Sequence, residues 1–167
     1  MCLKLGTVER LLLALAISVF LSFNEPMEMG GQHYNLEALI EFSVFNSQNG
    51  DLLDPKTVDN LDVADIRIFY VIDDKIQEVF EQGSDYPRKF MLYKHENEYR
   101  VRVFLNDTKT SDRSITYIQW TEGDRDTVEV FYKRTPNATL QEKIWLNGKP
   151  IWERGENAKD PYFKLMK

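Results

Sequence analysis

The sequence predicts an all-β fold: an antiparallel β-sandwich, or a partly open barrel, of about eight or nine strands behind one N-terminal apolar helix. Three observations predict it. Apolar and polar residues alternate with period two through most of the chain after residue 35, which places alternate side chains on opposite faces of a strand. Turn signals recur about every 8 to 12 residues, the spacing of short antiparallel strands. No apolar stripe of period 3.6 runs longer than about two turns past residue 35. The chain has 167 residues, 43% of them hydrophobic, long enough to bury a core without disulfides or a metal.

The N-terminus is organised differently. Lys4 and Arg10 precede the unbroken apolar run Leu11–Phe23, which Asn24, Glu25 and Pro26 end. Basic residues followed by an apolar run of this size have the layout of a secretory signal. As a helix the run would span about 20 Å, short of the roughly 30 Å hydrocarbon core. Residues 1–23 therefore read as a signal peptide or N-terminal anchor, residues 24–34 as a polar tether and residues 35–167 as the β-domain. Membrane contact is expected only through residues 11–23. Cys2, the single cysteine, lies ahead of the apolar run, so the chain has no internal disulfide.

In the body, Leu36, Ala38, Ile40, Phe42 and Val44 share one face of a first strand, and Asn49-Gly50-Asp51 turns it. Val58–Ala64 is the one segment that reads as a helical turn. Ile66, Ile68, Tyr70 and Ile72 form the next face, and Lys75–Phe80 returns across Asp73-Asp74. After Pro87, Phe90 and Leu92 oppose Met91 and Tyr93. Tyr99, Val101, Val103 and Leu105 then face away from Arg100 and Arg102. Ser114–Trp120 is apolar on both faces and belongs in mid-sheet, while Val128, Val130 and Tyr132 alternate cleanly.

The last hairpin turns on Asn147-Gly148, a pair suited to the positive φ angles of a type I′ turn. Uninterrupted pairing would set Ile144 opposite Ile151 and place Trp145 and Trp152 together on one face. Trp120, Tyr117 and Phe131 fall on neighbouring strands.

The stretches Asp85-Tyr86-Pro87-Arg88, Tyr99–Asp107, Thr116–Trp120 and Lys143–Gly148 resemble small exported proteins and lipoproteins of Bacteroides-type bacteria, an uncharacterised group. The resemblance covers roughly residues 35 to 167 and implies an envelope location, in periplasm or cell envelope, and no reaction. The chain departs from the lipoprotein members in having no cysteine directly after the apolar run.

The formal net charge of −6 leaves no basic stripe for a nucleic-acid partner. His33 lies in the tether and His95 in a turn, neither beside a nucleophile motif. Two histidines and one ill-placed cysteine do not make a zinc site. No cofactor is expected. Acidic clusters at Asp51/Asp54, Asp62/Asp65, Asp73/Asp74 and Glu122/Asp124/Asp126 read as solvated turns. Calcium is the sharper alternative for Asn46–Asp51 and Glu122–Asp126, whose oxygens lie close in sequence. The sequons at Asn106 and Asn137 read as loop residues.

The aromatic set is the most suggestive. Tryptophans on an open sheet face stack against the apolar faces of sugars while carboxylates and amides take the hydroxyls. Trp145, Trp152 and Trp120 are the candidate ligand-binding residues, weighed against a core role for each, with Trp152 expected to be the wettest. The expectation is a non-catalytic exported binding or accessory module with a carbohydrate or envelope-protein ligand. The alternatives are a small envelope hydrolase working through paired carboxylates and a purely structural domain.

Overall fold

Eleven strands, the longer of which carry the alternation foreseen in the sequence, make up the fold in a computed structural model that describes residues 34–156 and 158–167. They are β1 (Asn35–Leu36), β2 (Leu39–Phe45), β3 (Arg67–Ile72), β4 (Lys75–Glu78), β5 (Phe90–His95), β6 (Glu98–Phe104), β7 (Arg113–Thr121), β8 (Asp124–Thr135), β9 (Ala138–Leu146), β10 (Lys149–Glu153) and β11 (Tyr162–Met166). Among the described residues there is no helix, and none is long and apolar enough to cross a membrane. The expected N-terminal helix, Cys2 and His33 lie outside the described residues. So does the tether, except Tyr34.

The strands form two sheets around one core. The larger runs β4-β3-β7-β8-β9, and the free edge of β9 is shared by β1 at one end and β10 at the other. The smaller runs β11-β2-β6-β5. Inward residues of the large sheet (Ile68, Ile118, Trp120, Val128, Val130, Ile144) meet those of the small sheet (Ile40, Phe42, Val44, Val101, Val103). Phe42 packs edge-on against Trp120, centroids 6.2 Å apart. Strand β8, at 12 residues the longest, lies in mid-sheet with β7 and β9 as ladder partners on its two sides.

Four sequence expectations are corrected. The sheets are mixed, not antiparallel throughout: β1 runs parallel to β9 and β11 parallel to β2. The first strand is broken at Glu37-Ala38, so Leu36 joins the large sheet and is half exposed while Ile40 onward enters the small one. Val58–Ala64 is a chain of turns, held by Asp side chains that accept backbone N–H groups, such as Asp62 from Ala64. In the last hairpin Trp152, not Ile151, pairs with Ile144, because Ile151 is an extra residue in a β-bulge. One added residue reverses the alternation, so Trp152 turns toward the core side while Trp145 stays on the outer face.

Candidate functional site: a cleft at the seam of the two sheets

The bulge at Ile151 sets Trp152 at the edge of the large sheet, where the chain leaves β10 and crosses to β11. The indole Nε1 donates to the Lys159 carbonyl at 2.8 Å, which fixes the ring against the crossing loop. A cleft of about 280 Å³ opens there, between Leu36, Leu39 and Trp152 on the apolar side and Glu37, Glu41, Arg102, Gln141 and Arg154 on the polar side.

The polar side is held in place by its own bonds. Arg154 forms an ion pair with Glu37, and its Nε donates to the Gln141 carbonyl at 2.7 Å. Gln141 is buried, and its amide donates to the Leu39 carbonyl at 2.9 Å. Glu41 accepts from Arg102 Nε at 2.7 Å and faces Arg100 at 3.8 Å. Arg154 also lies 5.7 Å from the Trp152 ring. Charge is therefore balanced within the cleft, pair by pair.

Glu41 and Arg102 carry the site onto the outer face of the small sheet. In β6, Glu98, Arg100 and Arg102 alternate with the core residues Val101 and Val103, so the polar set projects outward. Tyr93 of β5 and Tyr162 of β11 flank it. Arg100 stacks on the Tyr162 ring at 3.8 Å and donates to Glu98 at 2.7 Å. Tyr162 donates its hydroxyl to Glu98 at 2.8 Å and shares a 2.8 Å hydrogen bond with Ser43. Tyr162 also covers Ser43, which explains a fully buried serine on an outward position.

The electrostatics follow from these bonds. Burial alone would raise the Glu41 carboxyl, but hydrogen bonds from Tyr93 and Arg102 and the charges of both arginines hold it below its ordinary value. Glu98 behaves alike: burial opposes, and Arg100 and Tyr162 prevail. The phenols of Tyr93 and Tyr162 are pushed up, first by burial. Asp126, far from the cleft, is the third carboxyl that moves, and it too moves down.

The three sequence candidates part company. Trp120 has no exposed surface, since the core of the sandwich needs a large residue opposite Phe42. Trp145 lies on the outer face of the large sheet, paired with Glu129 and Pro150. Trp152 alone lines the cleft. Sequence reasoning missed Glu41, Arg100, Tyr93, Tyr162 and Arg154. The signal for the first three was present as like positions on alternating strands, but the parallel docking of β11 that adds Tyr162 was not.

In both candidate calcium loops side-chain oxygens are taken by protein groups, Asp124 by Lys167 and Asp126 by Trp120 and Asn147. Asn46 accepts from Gln48 and Gly50, and Asp51 from Leu53 and Tyr99. Among the described residues no group of three or more His, Cys, Asp or Glu side chains could hold a metal ion. Asn106 is buried, with its amide donating to Val71 and Ile115 carbonyls, so this sequon is a structural knot. Comparison with family models, curated proteins and solved structures finds no match for the chain.

Proposed function

We propose that the chain is an exported, non-catalytic binding module that takes a carbohydrate in the cleft beside Trp152. The observation that carries the reading is the pairing of one fixed indole with a row of planar hydrogen-bonding groups, Gln141, Glu41–Arg102 and Glu37–Arg154, around one concavity. An indole offers an apolar wall to the C–H face of a sugar, and paired carboxylates and guanidiniums offer acceptors and donors to its hydroxyls. Internal charge balance favours a neutral sugar at this point. Export rests on Lys4 and Arg10 followed by Leu11–Phe23.

The hydrolase alternative asks for a carboxyl pushed up toward neutrality so that it can donate a proton. Glu41, Glu98 and Asp126 are all pushed down, which favours binding over acid catalysis. A glycan array followed by calorimetric titration of the best hit tests the reading. Trp152→Ala should weaken binding at least about tenfold, about 1.4 kcal/mol, while Trp145→Ala leaves it unchanged. An array with no saccharide bound, or equal affinity in the Trp152 variant, overturns the proposal.

A further inference from the structure

The outer face of the large sheet carries a second aromatic set, independent of the cleft. The ladder registers place Phe69 of β3 beside Tyr117 of β7, and set Ile115, Glu129 and Trp145 in one row across β7, β8 and β9. Phe131 stands one row further on and is 43% exposed. At a strand spacing of about 4.8 Å, Phe69 and Trp145 stand roughly 15 Å apart on one surface.

Guanidinium groups lie on these rings. Arg125 sits 5.1 Å from the Phe69 centroid and 5.3 Å from that of Tyr117, and Arg113 sits 4.8 Å from Trp145. A cation held over an aromatic ring is positioned beforehand, and Arg125, which reaches Gln119 at 3.4 Å, keeps its other N–H groups for an anion. Three ion pairs on this face cancel internally: Arg67–Glu78, Arg113–Glu129 and Lys143–Glu153. Arg125 and Lys133 have no carboxylate partner among the described residues, and the strand alternation puts both on the same face as Phe131. These two cations stand unpaired on the face, with Asp73 and Asp74 at its β3–β4 rim, in a chain of net charge −6.

We infer that the outer face of the seven-stranded sheet binds an anionic polysaccharide, a chain of carboxylate-bearing sugars that lies across Phe69, Tyr117 and Trp145 with its acid groups at Arg125 and Lys133. Aromatic rings alternating with guanidiniums match a ligand that alternates apolar ring faces with carboxylates. Charge complementarity is what selects this occupant over a neutral chain, and its binding should weaken steeply with salt.

Affinity electrophoresis of the whole chain tests the inference, in gels cast with polygalacturonate, with uncharged dextran, or with poly-L-glutamate. Retardation by polygalacturonate alone is expected at low salt. It should fall at least about fivefold in Arg125→Gln/Lys133→Gln and in Trp145→Ala, with thermal midpoints recorded to confirm folding. Lys56→Gln removes a charge from a distant loop and should change nothing, and Trp152→Ala should retain full retardation, which separates this surface from the cleft. Failure to retard, equal retardation by dextran or poly-L-glutamate, or an equal loss in Lys56→Gln overturns it.

Discussion

Trp120 Nε1 donates to Asp126 Oδ2 at 2.7 Å inside the protein, and that one bond joins the core to the end of the chain. The other Asp126 oxygen accepts from the Asn147 amide at 2.7 Å, and Lys167 reaches the same carboxylate at 3.1 Å. A single carboxylate thus ties the largest core residue, the tight turn of the last hairpin and the C-terminal residue beyond β11. Replacing it with Ala leaves the buried indole N–H without an acceptor, which is costly, and also unties the exposed Asn147 amide and Lys167. Asp126→Ala should lose about 3 kcal/mol in urea unfolding, and Asp126→Asn nearly as much, because its amide would face the Asn147 donor. A loss below about 1 kcal/mol in the Ala variant would show that the knot is not structural.

Acid should destabilise the fold in a defined window. Glu41, Glu98 and Asp126 titrate lower in the folded protein than their ordinary values of 4.5, 4.5 and 3.8. Groups with depressed folded values bind protons more readily when unfolded, so their stabilisation is complete above about 4.5 and drains away as pH falls through the folded values. Urea midpoints should be level between pH 7 and 5.5 and drop below pH 4.5. The drop should be shallower in Glu98→Gln. A midpoint that rises on acidification contradicts the assignment.

The Asn147-Gly148 turn offers a test of backbone strain apart from packing. Gly148 has φ 77° and an added Cβ would meet nothing within 4 Å, so Gly148→Ala costs only the left-handed conformation, about 1 kcal/mol. Asn147 has φ 51° and its side chain bonds both Thr127 N–H and Asp126, so Asn147→Ala should cost about 2 kcal/mol or more. Chemical denaturation of the two variants that reverses this order would refute the account.

Much of the architecture was legible because it is local. The alternation of Val101 and Val103 with Arg100 and Arg102, or of Val128, Val130 and Tyr132 with Thr127, Glu129 and Lys133, is a two-residue pattern that any strand displays. The Asn147-Gly148 turn is equally local. The β-bulge at Ile151 was not legible, since alternation resumes on either side of it and only the partner strand reveals the slip. The parallel pairings of β1 and β11 are contacts between residues about a hundred positions apart, and nothing in Tyr162–Met166 names β2 as its neighbour. The candidate cleft depends on both features: the bulge turns Trp152 inward, and the crossing to β11 supplies Lys159, Asp160 and Pro161. It therefore lay beyond a sequence reading that had singled out Trp152 itself.

Tyr132 gives the opposite kind of test, a substitution expected to help. Its ring is 1% exposed and fills the core, and its hydroxyl has no hydrogen-bond partner among the described residues. Burial pushes the phenol strongly upward, and the neighbouring Ser114, whose hydroxyl is donated to the Asn106 carbonyl at 2.6 Å, offsets this only in part. Arg134 lies 5.0 Å from the ring centroid and would keep its place over a phenyl ring, and the backbone bond from Tyr132 N–H to Asp112 is untouched. Tyr132→Phe removes only the orphaned oxygen, so stability should stay level or rise by about 1 kcal/mol. Measured by thermal and urea unfolding together, a loss of more than about 1 kcal/mol would mean that the hydroxyl holds a partner in solution.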